Sequence, residues 1–472
     1  MTTHELLESQ KKFFSSGITK CISFRKQQLS SLYDSILKHQ NNIASALAAD
    51  LGKPPFESYA TETGSVLSEI SFIKNHISSW AKPRRVPTPL VHFPASSTVY
   101  AEPFGAVLIM APWNYPFMLL VEPLAEAIAA GNTAVIKPSA QSPATAEVIG
   151  TIIKETFPPE YVSCITGSHN VSDELLLLPF DFIFFTGSAA IGKKVMKAAA
   201  ENLTPVCLEL GGKNPCIVDD TADISLAARR IVWAKFMNAG QTCVAPDYIL
   251  VHESAETQLA ESIKKEIELQ YGKNPVSSPS LARIINERHF DRLISLAPFA
   301  SCNRQTLRIA PTVIRFGSLK KTSEQSTQDS AFILRTDSPV KPNSALMDEE
   351  LFGPLLPLIT YSSIDDVITF VSKRNTPLAL YVFSTDRRAQ KLLISSLRFG
   401  SGAINDAVVQ LATPYIPFGG IGQSGMGAYH GKTGFDTFTH YKGILAKSNA
   451  LDITLRYPPY DRKLALLKRF LR

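Results

Sequence analysis

No run of about 20 consecutive apolar residues occurs anywhere in this 472-residue chain, so no bilayer-spanning helix is expected. The nearest approach, residues 104–130, is interrupted by Pro112, Asn114, Pro116, Glu122, Pro123 and Glu126. It reads better as buried strand, loop and helix. The opening MTTHELLESQKKFF lacks the long apolar region of an export signal. None of the six cysteines (Cys21, Cys164, Cys207, Cys216, Cys243, Cys302) belongs to a CxxC pair, which removes zinc-ribbon and thioredoxin-like readings. The nine histidines show no HExxH or paired spacing, so no metal is indicated. One-signed charge is also scarce. With 48 basic and 42 acidic side chains the net charge is +6, too mild for a nucleic-acid partner. The basic residues near the end (Arg462, Lys463, Lys468, Arg469, Arg472) read as a solvated helix face, with weak contact to an anionic membrane surface as the alternative. Reduced thiols and no export signal point to the cytoplasm.

What is present is an ordinary globular balance, 45% apolar and 19% charged, over a length suited to two or three domains. Residues 24–50 predict one long amphipathic helix, because Leu29, Leu32, Ile36, Ile43 and Leu47 recur on one face. Residues 78–100, rich in Pro and Ser, predict an extended arm. Alternation follows. Strands are predicted at 106–111, 133–137, 161–165 and 181–187. A helix with Pro116 in its first turn ends at Gly131-Asn132, and others cover 143–156 and 189–200. A second unit is expected to begin around Glu209, with strands at 214–219, 247–252, 358–361 and 380–384 and helices at 223–236, 364–374 and 386–398. Repeated strand–helix–strand order implies an α/β fold with parallel sheets. The polar stretch 316–346 predicts a solvated surface loop inserted into the second unit.

Two segments carry chemistry. In FMNAGQTCVAPDYILV (236–251), Cys243 follows a small, flexible stretch and precedes an apolar strand. A thiolate there is a potent nucleophile, although a cysteine in such a setting, taken alone, is more often structural. In PVCLELGGKNP (205–215), Glu209 sits inside an apolar strand ending at Gly211-Gly212. Desolvation would raise its pKa and suit it to general-base work; the competing reading is an ion pair with Lys213. Asn114, in PWNYP between a strand and a helix, is either an oxyanion donor or a helix cap. Lys137 ends a strand, where parallel sheets face their ligand crevice. In FTGSAAIG (185–192), Gly187, Ser188 and Gly192 lie between a strand and a helix, a setting suited to phosphate.

Gly240-Gln241-Thr242-Cys243 and Leu208 to Lys213, taken together, resemble the cysteine and glutamate patterns of aldehyde dehydrogenases. The resemblance covers roughly residues 5–460 and is closest to the class 3 branch, through PWNYPF (112–117), CVAPDY (243–248), GMGAYHGK (425–432) and RYPPY (456–460). It implies oxidation of aldehydes to carboxylic acids with NAD or NADP. Cys243 would be the nucleophile, Glu209 the base that activates water, and Asn114 with the Cys243 N–H the oxyanion hole. It also implies that Lys137 contacts the adenosine ribose, that Gly187, Ser188 and Gly192 form the pyrophosphate site, and that Glu350 binds the nicotinamide ribose beside Phe352. The organisation implied is an aldehyde dehydrogenase-like fold. A Rossmann-like NAD(P)-binding domain comprises 1–77 and 101–208, a catalytic domain 209–400, a bridging or oligomerisation element 78–100 and 401–425, and a C-terminal segment 426–472. A homodimer is implied. Where NAD-preferring members often carry an acid three positions after the lysine, this chain has Ala140, which predicts dual or NADP-leaning use.

Two motifs are decoys. Gly420-Ile421-Gly422-Gln423-Ser424-Gly425 satisfies GxGxxG but has no βαβ unit after it, and Gly431-Lys432-Thr433 lacks the earlier glycine of a P-loop. A CoA-acylating enzyme and a catalytically silent dinucleotide-binding protein remain as other readings. A hydrolytic base at Glu209 argues against the first, and the intact Cys243, Glu209 and Asn114 set against the second. Trp113, Tyr115 and Phe117 suggest an apolar pocket for medium- or long-chain aliphatic or aromatic aldehydes, unless they only pack the core.

Overall fold

The computed structural model describes residues 2–319, 346–452, 454–461 and 463–470. Most of the polar insertion (320–345), together with Arg462 and Arg472 of the basic tail, lies outside the described residues.

The first sheet follows from the apolar runs read above. Its order is Val206–Leu210, Phe182–Gly187, Ala106–Met110, Thr133–Lys137 and Val162–Cys164, all parallel, with the short strand Gly425–Met426 antiparallel at the Val206–Leu210 edge. Ala106–Met110 is buried at every residue, as expected of a central strand covered on both faces. The order reverses between Ala106–Met110 and Phe182–Gly187, so a crevice opens beyond their carboxyl ends. The second sheet is wholly parallel, in the order Thr312–Ser318, Leu355–Tyr361, Tyr248–His252, Pro215–Val218, Ala379–Phe383, Ser401–Ile404. A third, antiparallel sheet joins Arg84–Val86, Ala95–Pro103 and Thr439–Lys447.

Five expectations change. The 24–50 helix is two, Ile22–Lys38 and Gln40–Leu51, broken at His39. The predicted apolar face survives the break. Leu29, Leu32, Ile36, Ile43 and Leu47 all have no exposure, and each contributes roughly 1.5–3 kcal/mol by burial. Pro116 precedes the helix Met118–Ala130 instead of lying in its first turn, while Gly131 ends that helix at φ 99° as expected. The change of sheet falls after Leu210, so Glu209 belongs to the last parallel strand of the first sheet instead of opening the second unit. The arm at 78–100 pairs with Thr439–Lys447 and not with 401–425, which supplies an edge strand of the second sheet. Finally, the expected loop at 316–346 begins later. Phe316 lies in the strand Thr312–Ser318 and is fully buried.

Candidate active site

Beyond the carboxyl ends of the first sheet lies a cavity of about 330 Å³. Asn114, Gly187, Ser188, Glu209, Cys243, Glu350 and Phe352 all line it, brought together from both sheets. Lys137 and Gly192 do not. Lys137 is buried at the end of its strand and donates to the Pro138 and Gly167 carbonyls, each at 2.9 Å. Gly192 serves packing, because a Cβ there would stand 2.6 Å from Leu210 Cδ2. A second, more apolar cavity of about 180 Å³ meets the first at Cys243, Leu119, Phe418 and Tyr429. Tyr115 lines this second cavity and Trp113 the first, whereas Phe117 is fully buried core.

The turn before the nucleophile is strained. Asn238 (φ 51°) and Ala239 (φ 52°) both adopt left-handed backbone ahead of Gly240 (φ 76°). Its polar groups are held from several directions. Asn238 Nδ2 donates to Asn114 O (2.8 Å), Gln241 Nε2 donates to Arg283 O (3.0 Å), and Ile285 N–H donates to Gln241 Oε1 (3.0 Å). After the nucleophile, Asn214 Nδ2 donates to Cys243 O at 2.7 Å. Burial pushes the Cys243 thiol up to about 12, and the Glu350 and Glu209 charges push the same way. The Cys243 and Val244 N–H groups oppose them weakly. Asn114 Nδ2 donates one hydrogen to Gln241 O at 3.0 Å, leaving its second for a ligand, and Asn114 Oδ1 is buried without a partner.

Glu209 is 3% exposed, and burial alone holds its carboxyl well above the usual carboxylate range. Its Oε1 has only the Cys207 Sγ contact at 4.0 Å, and Oε2 has no partner. The ion pair weighed for it does not form. Lys213 pairs instead with Asp247 (2.5 Å) and donates to the Leu346 and Glu349 carbonyls.

The cavity fits a dinucleotide. Thr186 Oγ1 and Glu350 Oε1 line it and are buried without partners, so they are suited to accept or give hydrogen bonds to ligand hydroxyls. Ser188 caps the 13-residue helix Ala189–Glu201, whose N-terminus opens at the cavity, as an anion site needs. Gly211 has no room for a side chain, since a Cβ would fall 2.2 Å from Glu350 Oε2. Burial raises Glu350 to about 8, and the nearby Asp247 charge adds to the rise. Phe352, at φ 49°, meets the Trp113 ring edge-to-face at 5.4 Å. Sequence reasoning missed His289 and Arg292, which line the same wall from the helix Glu287–Leu296. Nothing near them in sequence marks a ligand.

Behind the apolar cavity, Glu69, Glu126 and His430 bring ligand-type atoms within 4.8 Å of one another. Burial raises Glu69 and Glu126 and lowers His430 to about 4, so the group favours neutral forms.

The profile of the Aldehyde dehydrogenase family matches residues 6–444. The chain is 48% identical over 461 residues to the 4,4'-diaponeurosporen-aldehyde dehydrogenase of Staphylococcus aureus, spanning 98% of this chain and 97% of that one. It is 40% identical over 459 residues to the mouse (Mus musculus) aldehyde dehydrogenase, dimeric NADP-preferring, spanning 96% of each. The solved structure of Staphylococcus aureus AldH in a substrate-bound state superposes with a TM-score of 0.93 at 45% identity, covering 100% of both chains.

Proposed function

Because the chain belongs to the aldehyde dehydrogenase family, we propose that its oxidation of aldehydes with NAD or NADP runs through Cys243, Glu209 and Asn114. The observation that carries the assignment is the meeting of two cavities at Cys243, the second more apolar than the first. Cys243, as the thiolate left once its proton has passed to solvent, adds to the aldehyde carbon; the C–S bond forms as the C=O π pair moves onto oxygen, giving an oxyanion. The free Asn114 amide hydrogen and the Cys243 N–H receive that oxyanion. What the dinucleotide supplies when bound is a hydride acceptor; Gly187, Ser188, Glu350 and Phe352 would hold it in the first cavity, with Lys137 and Gly192 beneath. Loss of hydride leaves an acyl group on Cys243. Glu209 takes a proton from water, the hydroxide attacks the thioester carbon, and the C–S bond breaks to release the acid.

The apolar cavity supports medium- or long-chain aliphatic or aromatic aldehydes as substrates. The test is reduced-dinucleotide absorbance with hexanal in the absence of CoA. Turnover is expected without CoA. Turnover only with CoA would overturn hydrolysis in favour of acylation, and none with any aldehyde would favour a silent protein.

Ala140 is exposed in the turn after Lys137 and offers no carboxylate to repel a 2′-phosphate. The ratio of kcat/KM for NAD over NADP is therefore expected to stay below about a hundredfold, or about 2.7 kcal/mol. A larger preference for NAD would overturn this.

We also place the protein in the cytoplasm as a homodimer. Among the described residues no helix is long and apolar enough to cross a membrane. Support for pairing comes from Tyr441, Ile444 and Leu445, exposed on the third sheet, and from the mouse relative, which is named as dimeric. Light scattering is expected to give twice the chain mass of 51.7 kDa; a single-chain mass would overturn the dimer.

A further inference from the structure

Immediately before the helix Gly64–Trp80, the chain does something unusual. The turn Pro55–Ser58 runs directly into a five-residue π-helical turn, Tyr59–Thr63. Such turns concentrate at functional sites, where they re-aim side chains that an α-helix would carry elsewhere. Here the segment supplies two carboxylates, Glu57 and Glu62, and neither lines the wall of either cavity. Each is spent on the backbone of a loop that carries a proposed catalytic side chain.

Glu62 has no exposure. Its Oε1 pairs with Lys53 Nζ at 2.5 Å, and its Oε2 accepts from Phe117 N–H (3.1 Å) and Met118 N–H (2.9 Å), directly after the Asn114 loop. Lys53 Nζ also lies 3.8 Å from the Tyr115 ring centre, and the Tyr115 hydroxyl shares a 2.6 Å hydrogen bond with Thr242, next to the nucleophile. Glu57 completes the link. Its Oε1 accepts from Asn238 N–H at 2.9 Å, the first residue of the left-handed turn. Asn238 in turn donates to Asn114 O. The nucleophile turn and the asparagine loop are therefore tied to one short segment and to each other. A strained backbone persists only where its surroundings over-determine it, and Glu57 contributes the bond at the entry to that strain.

We propose that Glu57 is a positioning residue, which, with the Lys53–Glu62 pair, clamps the Cys243 turn and the Asn114 loop at the separation that oxyanion capture requires. The clamp touches neither substrate nor dinucleotide, and it rests on the assignment of Cys243 and Asn114 above. Its effect is on geometry at the reacting carbon, so it appears in kcat and not in cofactor affinity.

The test compares Glu57→Asp, Glu57→Ala, Glu57→Gln and Cys243→Ala in the full-length protein, reading kcat and KM with hexanal and the Kd for NADP. Glu57→Asp keeps the charge but is one methylene too short to reach Asn238. Glu57→Gln loses the charge but keeps an accepting oxygen. The Asp and Ala variants are expected to lose about tenfold or more in kcat, with Kd within about twofold of wild type, while Gln stays within about threefold. The clamp is overturned if Asp and Ala keep kcat within about twofold, if Gln falls as far as Asp, or if Kd weakens in step with kcat. Should Glu57→Ala not fold, the Asp and Gln pair decides alone. Turnover that survives Cys243→Ala sinks the parent assignment and the clamp with it. Turnover lost there but unchanged in the Glu57 variants sinks the clamp only.

Discussion

Cys243→Ala is expected to reduce aldehyde turnover to below about 10⁻⁴ of wild type, because the proposed covalent route is removed and only binding and oxyanion contacts remain. NADP affinity should stay within about twofold, since a smaller side chain at the cavity junction deletes no polar contact a dinucleotide needs. The resting thiol explains why the surrounding charges matter. Burial, Glu350 and Glu209 together hold it near 12, so in the free enzyme it is protonated at neutral pH. Iodoacetamide labelling of Cys243, followed on its own peptide by mass spectrometry, should rise with pH without levelling in the neutral range. Glu350→Gln removes the largest charge contribution and should move that curve to lower pH. Glu350 itself ionises near 8, so the two curves are expected to separate only above that value. Turnover retained in Cys243→Ala, or labelling that levels below pH 8, would overturn this account.

Much of the lining of the candidate site is legible in the sequence, for a local reason. Glu209 sits inside an apolar strand that ends at Gly211-Gly212, and Cys243 lies between a small stretch containing Gly240 and an apolar strand, so each announces itself within about ten residues of sequence, and the parallel-sheet alternation needs only short windows. What could not be read is what the fold assembles from afar. Lys213 looks like the partner of Glu209, four residues before it, yet its ammonium is taken by Asp247 and by carbonyls at 346 and 349. A side chain adjacent in a strand–turn segment points where the turn sends it, and sequence spacing does not reveal that direction. His289 and Arg292 reach the cavity from a helix with no motif. The bond from Asn238 to Glu57 spans 181 positions. The segment expected to join the 78–100 arm in the bridging element is 401–425, whereas the strand that pairs with the arm is Thr439–Lys447. An antiparallel edge strand with exposed residues at most positions carries no local mark of its partner.

Glu209→Gln should separate the two halves of the reaction. The variant keeps the shape of the side chain at a position with 3% exposure and removes only its ability to take a proton. Attack by Cys243 and loss of hydride do not need that ability, so the first turnover should give a burst near one reduced dinucleotide per site. The steady rate after it is expected to fall by about 10²–10⁴, the usual contribution of a general base. The acyl group should then be recoverable on the Cys243 peptide by mass spectrometry. The wild-type steady rate should rise with pH as Glu209 loses its proton, and this dependence should vanish in Glu209→Gln. Stability gives an independent check on folding. Burial raises Glu209 above its unfolded value of 4.5, so its contribution is most favourable below that pH and declines as pH rises toward the folded value. Glutamine is uncharged throughout and removes that decline, so the Tm of the variant at pH 7 should equal or exceed that of wild type. A stall with an intact Tm and a trapped thioester places the defect in hydrolysis. A slow first turnover with no burst would instead make Glu209 the base that activates the thiol, and the order of proton transfers would have to be redrawn.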